Sequence, residues 1–136
     1  NSRMYVLNAE IINLRLRHAD SNQERRQQIA QEYNTAFADL PVVTQGMSNG
    51  LNHNYHKYVV RFEDKDTRKR VKNAVNASIH YETPLSANSM YNGATMRSDA
   101  CTASKTASST VLSLPIHAWL TDIEIKDIIK IIKDAI

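Results

Sequence analysis

Tyr55-His56-Lys57-Tyr58-Val59-Val60-Arg61-Phe62 is the stretch that separates a mixed fold from a bundle of helices. It is rich in aromatic and β-branched residues. Tyr58, Val60 and Phe62 alternate with Val59 and Arg61, the period-two pattern of a strand with one face on a core. The period then changes. Asp64 or Asp66 can cap a helix whose apolar positions include Val71 and Val75. Near Ala77 that helix gives way to Ile79-His80-Tyr81, expected as a short strand or extended segment ending at Pro84.

Downstream, residues 86–109 are small and polar, an exposed loop in part, with room for one small helix over Ala100–Ala107. Val111-Leu112-Ser113-Leu114-Pro115 reads as a short apolar strand stopped by proline. Thr121 and Glu124 then form a capping box, and the closing helix carries Ile125, Ile128, Ile129, Ile132 and Ile136 on one side. Upstream, the first forty residues read as helix. Met4, Leu7, Ile11 and Leu14 recur at three- and four-residue spacing, which puts them on one face. A second stripe runs through Ile29, Tyr33, Phe37 and Leu40, with Glu24, Arg25, Arg26, Gln27 and Gln28 as its wet side. Ala19-Asp20-Ser21-Asn22 is either a break or a polar turn of one continuous helix. Pro41 ends the segment, and a polar connection with Gly46 and Gly50 leads back to the strand at residue 55. The expected fold class is therefore α+β, with an α/β-like look: helices over residues 1–40, then a small sheet with packed helices over 55–136.

Bulk properties bound the function classes. The chain has 136 residues, 42% of them apolar, which is enough for one domain with a real core. Its 17 basic and 14 acidic residues leave a net charge of +3. The dense basic tract Lys65, Arg68, Lys69, Arg70 and Lys72 is read as the solvated face of a short helix, in preference to a nucleic-acid patch. The single cysteine, Cys101, excludes an internal disulfide framework and a four-cysteine zinc site. It suits a reducing cytoplasm. No apolar run approaches the roughly 20 residues that cross a bilayer. The first residue is Asn1, with no initiator Met and no signal peptide, so the chain is expected to be the carboxy-terminal piece of a larger enzyme. Gly-rich phosphate loops and helical His-x-x-x-His pairs are absent. His53 and His56 stand three apart without neighbouring Cys or carboxylate ligands, and no metal is expected there.

Three segments gain specificity when taken together: Asn1-Ser2-Arg3-Met4 before an amphipathic helix; Ser78-Ile79-His80-Tyr81-Glu82-Thr83-Pro84-Leu85; and Val111-Leu112-Ser113-Leu114-Pro115-Ile116-His117 followed by Trp119-Leu120-Thr121. Between them lie the Arg25-Arg26 helix with Ala30 and Tyr33, and the Tyr55–Arg61 strand. In this order the chain resembles the pyridoxal-phosphate-dependent nucleotide-sugar aminotransferases, the DegT/StrS family of the aspartate-aminotransferase fold type (fold type I). The resemblance covers Asn1 to Ile136. It departs from the family pattern at Tyr5, at Glu82 after His80-Tyr81, at Ser86, and at Asn76-Ala77-Ser78-Ile79, and these departures bear on the sugar preferred.

The resemblance implies that the chain is the small C-terminal domain, the last third of such an enzyme. The lysine that holds pyridoxal phosphate and the acid that pairs with its ring nitrogen belong upstream. Asn1 would reach the cofactor phosphate of the neighbouring subunit in a homodimer, as an amide donor to phosphate oxygens. Arg3 would face the anionic nucleotide-sugar substrate with its two-pronged guanidinium. His80 and Tyr81 would line the sugar pocket. The parent would transfer an amino group, usually from glutamate, to a nucleotide-linked keto sugar for lipopolysaccharide, capsule, glycan or a sugar-bearing antibiotic, and the 136 residues alone would be inactive. The alternatives are a non-transaminating member of the same fold, a dehydratase or regulator, and, last, a basic nucleic-acid-binding module.

Overall fold

A computed structural model describes residues 3–46, 52–75, 77–91 and 101–136. Its centre is the strand expected from the alternation of Tyr58, Val60 and Phe62. We number the elements α1 (Val6–Leu16), α2 (Ala19–Ala36), β1 (Val42–Val43), β2 (Tyr58–Phe62), α3 (Lys65–Val75), α4 (Thr102–Thr110), β3 (Val111–Leu114) and α5 (Asp122–Ala135). Two single 3-10 turns, Leu85–Ala87 and Ser89–Tyr91, lie between α3 and α4. The three strands form an antiparallel sheet in the order β1-β2-β3. Tyr58 pairs with Leu114, Val60 with Leu112 and Arg61 with Val111, while Val42 pairs with Phe62.

Register and parity then sort the side chains. Tyr58, Val60, Phe62, Leu112 and Leu114 are buried on one face. Val59 and Ser113, directly opposite one another, point to the other face. The closing helix covers the core face with Ile125 and Ile132, and α3 adds Val71. The capping box is present: Thr121 Oγ1 accepts from Glu124 N at 3.3 Å, and Glu124 Oε2 accepts from Thr121 N at 2.8 Å. Asp64, not Asp66, caps α3, accepting from the backbone N–H groups of Asp66 and Thr67.

The second helical stripe is the third wall of the core. Ile29, Ala30, Tyr33 and Phe37 are buried, and Leu40 is half-buried. Tyr33 stacks on Phe37 with ring centroids 5.6 Å apart and tilts against Tyr58 at 5.1 Å. Its hydroxyl donates to the Pro115 carbonyl at 2.9 Å, and the Tyr58 hydroxyl donates to Asn34 Oδ1 at 2.6 Å. Buried phenols need such partners. Burial pushes both hydroxyls well above the ordinary phenol range.

Several expectations need correction. The helical break falls at Arg17-His18, and Ala19-Asp20-Ser21-Asn22 opens α2 instead of interrupting it. The Met4, Leu7, Ile11, Leu14 stripe is exposed: α1 has no buried residue. Arg25, Arg26 and Gln27 are not a wet face but half-buried docking groups. Arg25 Nη2 donates to the Leu120 carbonyl at 2.8 Å and pairs with Asp122 at 2.6 Å; Arg26 Nε donates to Asn54 O, and Gln27 to His53 O. The connection after Pro41 contains β1. The small helix begins and ends later than expected, at Thr102 and Thr110.

The basic tract is solvated except for Arg68, which is 4% exposed. Helical spacing explains it: Arg68, Val71 and Val75 fall at i, i+3 and i+7 on one face. Its Nη1 lies 3.5 Å from the Ser108 carbonyl in the last turn of α4, while Nε has no partner. Finally, of the two alternatives for Ile79-His80-Tyr81, a strand or an extended segment, the strand is not formed. Ser78 alone bridges Ser113, with Ser113 N donating to Ser78 O at 3.0 Å and Ser78 N to Ser113 O at 3.3 Å. Antiparallel pairing through Tyr81 would need Thr110, and Thr110 belongs to α4.

Candidate functional site

The Ser78–Ser113 bridge builds the candidate site. Residues opposite one another in an antiparallel pair share a face, so Ser78 stands on the same side as Ser113, away from the core. The chain then bends at His80, whose ring returns to Ser113. Its Nδ1 lies 2.8 Å from Ser113 Oγ. Around this pair a cleft of about 440 Å³ is lined by His56, Lys57, Ala77, Ser78, His80, Ser113 and Leu114–Ile116. Lys57, at the foot of β2, holds its Nζ 5.3 Å from the centre of the Tyr81 ring. An exposed cation–ring contact of this kind is worth about 0.5–1 kcal/mol. Tyr81 is 74% exposed and meets the cleft through Lys57, without lining it.

The wall of the cleft is anchored from below. Tyr33 holds the Pro115 carbonyl, and Arg25 holds the Leu120 carbonyl and Asp122. Before the strand, His53 Nδ1 accepts from Tyr55 N at 2.9 Å and its ring lies 4.4 Å from that of Tyr55. Tyr55 has φ +45°, the left-handed region that non-glycine residues avoid. His53 is thus a turn residue that sets where His56 and Lys57 emerge. Among the described residues no three His, Cys, Asp or Glu side chains converge to hold a metal.

His80 and Tyr81 come together here, joined by Lys57, His56 and Ser113, which the sequence reading did not select. Lys57 carries only a weak sequence signal, its position beside the alternating strand. Ser113 is legible as the outward residue between Leu112 and Leu114, but its pairing with His80 is a long-range contact. Arg3 is exposed just before α1 and does not line the cleft. Asn1 lies outside the described residues, as do Asn76 and Gly50. Ser86 sits in the first 3-10 turn, beyond Glu82 and Pro84.

The donor set fits part of a cofactor enzyme's task. Exposed His56, His80 and Tyr81 with half-buried Lys57 and Ser113 beside an open cleft suit an oxygen-rich, anionic ligand.

A second exposed region runs beside α1. Leu14, Arg15, His18, Asn22 and Trp119 line a groove of about 810 Å³ beside α1. Trp119 is 80% exposed, and so is Val6. None of the described helices is long and apolar enough to cross a membrane.

Comparison with known proteins agrees with this architecture. The chain is 30% identical over 124 residues to the erythromycin biosynthesis sensory transduction protein EryC1 of Saccharopolyspora erythraea, covering 89% of this chain and 34% of the relative. It is 28% identical over 123 residues to the dTDP-3-amino-3,4,6-trideoxy-alpha-D-glucose transaminase of Streptomyces venezuelae, covering 88% and 32%. Among solved structures, S. venezuelae DesV in complex with a ketimine intermediate superimposes with a TM-score of 0.89 at 26% identity, over 98% of this chain and 37% of that one. An aminotransferase from Brucella abortus gives 0.86 at 25%, over 98% and 36%. The chain thus spans about a third of the length of the relatives it matches. The fold is that of part of the fold type I aminotransferases, whose members of this family work with pyridoxal phosphate. The family model for DegT/DnrJ/EryC1/StrS aminotransferases matches residues 1–133, nearly end to end, and this chain belongs to that family.

Proposed function

We propose that the chain is the small C-terminal domain of a pyridoxal-phosphate-dependent transaminase that moves an amino group, from glutamate, to a nucleotide-linked keto sugar. The observation that carries this reading is the family match over residues 1–133 together with the close superposition on S. venezuelae DesV in its ketimine complex. The parent supplies the cofactor lysine from its other domain, and bound pyridoxal phosphate provides the electron sink. This chain's residues orient. His80 and Tyr81 contact the sugar, and Lys57 adds a cation to the same cleft. Arg3 meets the nucleotide's anionic group, and Asn1 donates to the cofactor phosphate of a neighbouring subunit.

On this reading the parent is a cytoplasmic homodimer. The exposed face of α1 and the groove at Trp119 are then covered by the rest of the parent or by the second subunit, since apolar surface of this extent is seldom left open. The product enters polysaccharide biosynthesis, lipopolysaccharide included. One relative is named a dTDP-sugar transaminase, which favours this substrate class.

A second reading is a non-transaminating relative, favoured by the name of the Saccharopolyspora protein, a sensory transduction protein. Borohydride reduction of the full-length protein loaded with pyridoxal phosphate separates the two, followed by peptide mapping. Transaminase chemistry requires the cofactor on a lysine outside these 136 residues, with amino transfer to a nucleotide keto sugar. Cofactor attached to no lysine would overturn it. The 136 residues alone are expected to give no turnover, and measurable amino transfer by them would refute the division of labour.

A further inference from the structure

We propose that Ser113 is a positioning residue for His80: its hydroxyl donates to Nδ1, fixes the imidazole plane, and leaves Nε2–H directed as a donor to an oxygen-rich ligand in the cleft. The proposal rests on the reading of His80 as a substrate-side residue and adds how that residue is held. Three observations carry it. The two atoms are 2.8 Å apart, an ordinary hydrogen bond. The Ser78–Ser113 bridge uses backbone atoms only, so the Ser113 hydroxyl is left for the ring, and it bonds to no other described residue. Parity on β3 puts Leu112 and Leu114 in the core and turns Ser113 to the cleft.

His80 needs such a device. Its segment is bridged to the sheet at Ser78 and packs Ile79 against the core, but His80 itself is exposed at a bend, where no strand pairing fixes the ring. Which nitrogen of a histidine carries the proton is set by the bond the other nitrogen makes. A serine hydroxyl can donate or accept; in the proposed arrangement it donates, Nδ1 accepts, and the proton sits on Nε2. A donor there meets the hydroxyl, carbonyl and phosphate oxygens of a nucleotide sugar, whereas an acceptor would be repelled by the anionic ones. Nothing is transferred in this step; the serine only holds the ring.

The test has two arms. In the 136-residue chain, nitrogen NMR of the neutral His80 ring should show a protonated Nε2 and a hydrogen-bonded, unprotonated Nδ1. Ser113→Ala should move the Nδ1 resonance to that of a water-exposed nitrogen and increase ring motion, and Ser113→Thr should restore both. An Nδ1 resonance unchanged in Ser113→Ala, or a proton found on Nδ1, overturns the proposal; a change in stability alone, without a change at the ring, does so too.

In the full-length enzyme, Ser113→Ala should raise KM for the nucleotide sugar by roughly fivefold, the equivalent of one modest hydrogen bond, with the effect on KM and not on kcat. His80→Ala should raise it at least as much, and the double variant no further than His80→Ala alone. If His80→Ala raises KM and Ser113→Ala does not, the positioning role falls while the substrate role of His80 stands. If His80→Ala leaves KM unchanged, the substrate role falls and takes the presentation of Nε2–H with it.

Discussion

Helices α1 and α2 follow one another with only Arg17 and His18 between them, and both carry an apolar stripe at helical spacing. Their fates differ completely. Ile29, Tyr33 and Phe37 of the second stripe are at most 1% exposed, whereas Leu7 of the first is 72% exposed and Val6 80%. The period of a stripe says that a helix has an apolar side. It says nothing about what covers that side, because the cover comes from distant chain or from another molecule. In α2 the cover is present: Tyr58, Pro115 and the closing helix. For α1 no described residue buries the stripe.

The sharpest way to break this contrast is to truncate one residue on each stripe. Tyr33→Ala should destabilise the chain by about 3–5 kcal/mol, since it removes a fully buried ring and the donor to Pro115. Leu7→Ser should change stability by less than about 0.5 kcal/mol. Urea denaturation of both variants checks it. Equal losses would mean that α1 belongs to the folding core after all.

The same contrast explains what was legible. The β2 and β3 strands, the capping box and the α2 stripe follow from local pattern, and each was readable because the partner demanded by the pattern lies within this chain. Three features were not readable. β1 is two residues long and is a strand only by its register with Arg61 and Phe62. The return of the His80 ring to Ser113 depends on a bridge thirty-odd positions away in sequence, between Ser78 and Ser113. Arg68 was read by its charge, although its spacing to Val71 and Val75 places it on the apolar side. Of the site, His80 and Tyr81 entered through family resemblance, while Lys57 and Ser113 needed coordinates. Residue type alone does not reveal contacts made across the sheet.

Arg68 offers the next largest effect. Its side chain fills space under α4 and reaches the Ser108 carbonyl, and among the described residues its Nε bonds to nothing. Arg68→Ala should cost about 2–3 kcal/mol through lost packing of the long stem. Arg68→Met keeps a similar stem and removes the buried charge, so it should be neutral or stabilise by about 1 kcal/mol. Thermal and urea unfolding of the pair distinguishes packing from charge: if Met costs as much as Ala, the charge has a partner of real value.

Arg25 tests the docking of α2 more gently. Arg25→Ala removes the bond to the Leu120 carbonyl and the pair with Asp122, both at the start of α5. Asp122 is 70% exposed, so the ion pair itself is screened and adds little. The carbonyl bond carries most of the effect, about 1–2 kcal/mol. Arg25→Lys should recover less than half of it, because both bonds come from Nη2 at the far end of the guanidinium, beyond the reach of the shorter lysine stem. Hydrogen exchange should report the loss at Leu120 to Ile125 and leave α1 untouched.

The smallest effect concerns pH, and it separates α1 from the packed helices once more. Asp64 is held below the usual carboxylate range by the Thr67 backbone N–H first and the Thr67 hydroxyl second; Glu124 is held there by the Thr121 backbone N–H, then its hydroxyl. A folded pKa below the unfolded one means that the unfolded chain binds protons more readily as the pH falls. The stabilisation is therefore complete above the ordinary carboxylate range of about 4. It fades as pH drops through that range and is absent below the lowered folded values. These carboxylates cap α3 and α5, the two helices that pack on one another beside the sheet. Helix α1 has no side-chain cap and no acid in its first turn, so it offers no carboxylate–cap bond of this kind. Glu124→Gln should flatten the acid limb of a stability-versus-pH curve, and Leu7→Ser should leave that limb in place. A limb that changes with Leu7→Ser would tie α1 to the cooperative unit from which its exposed face otherwise separates it.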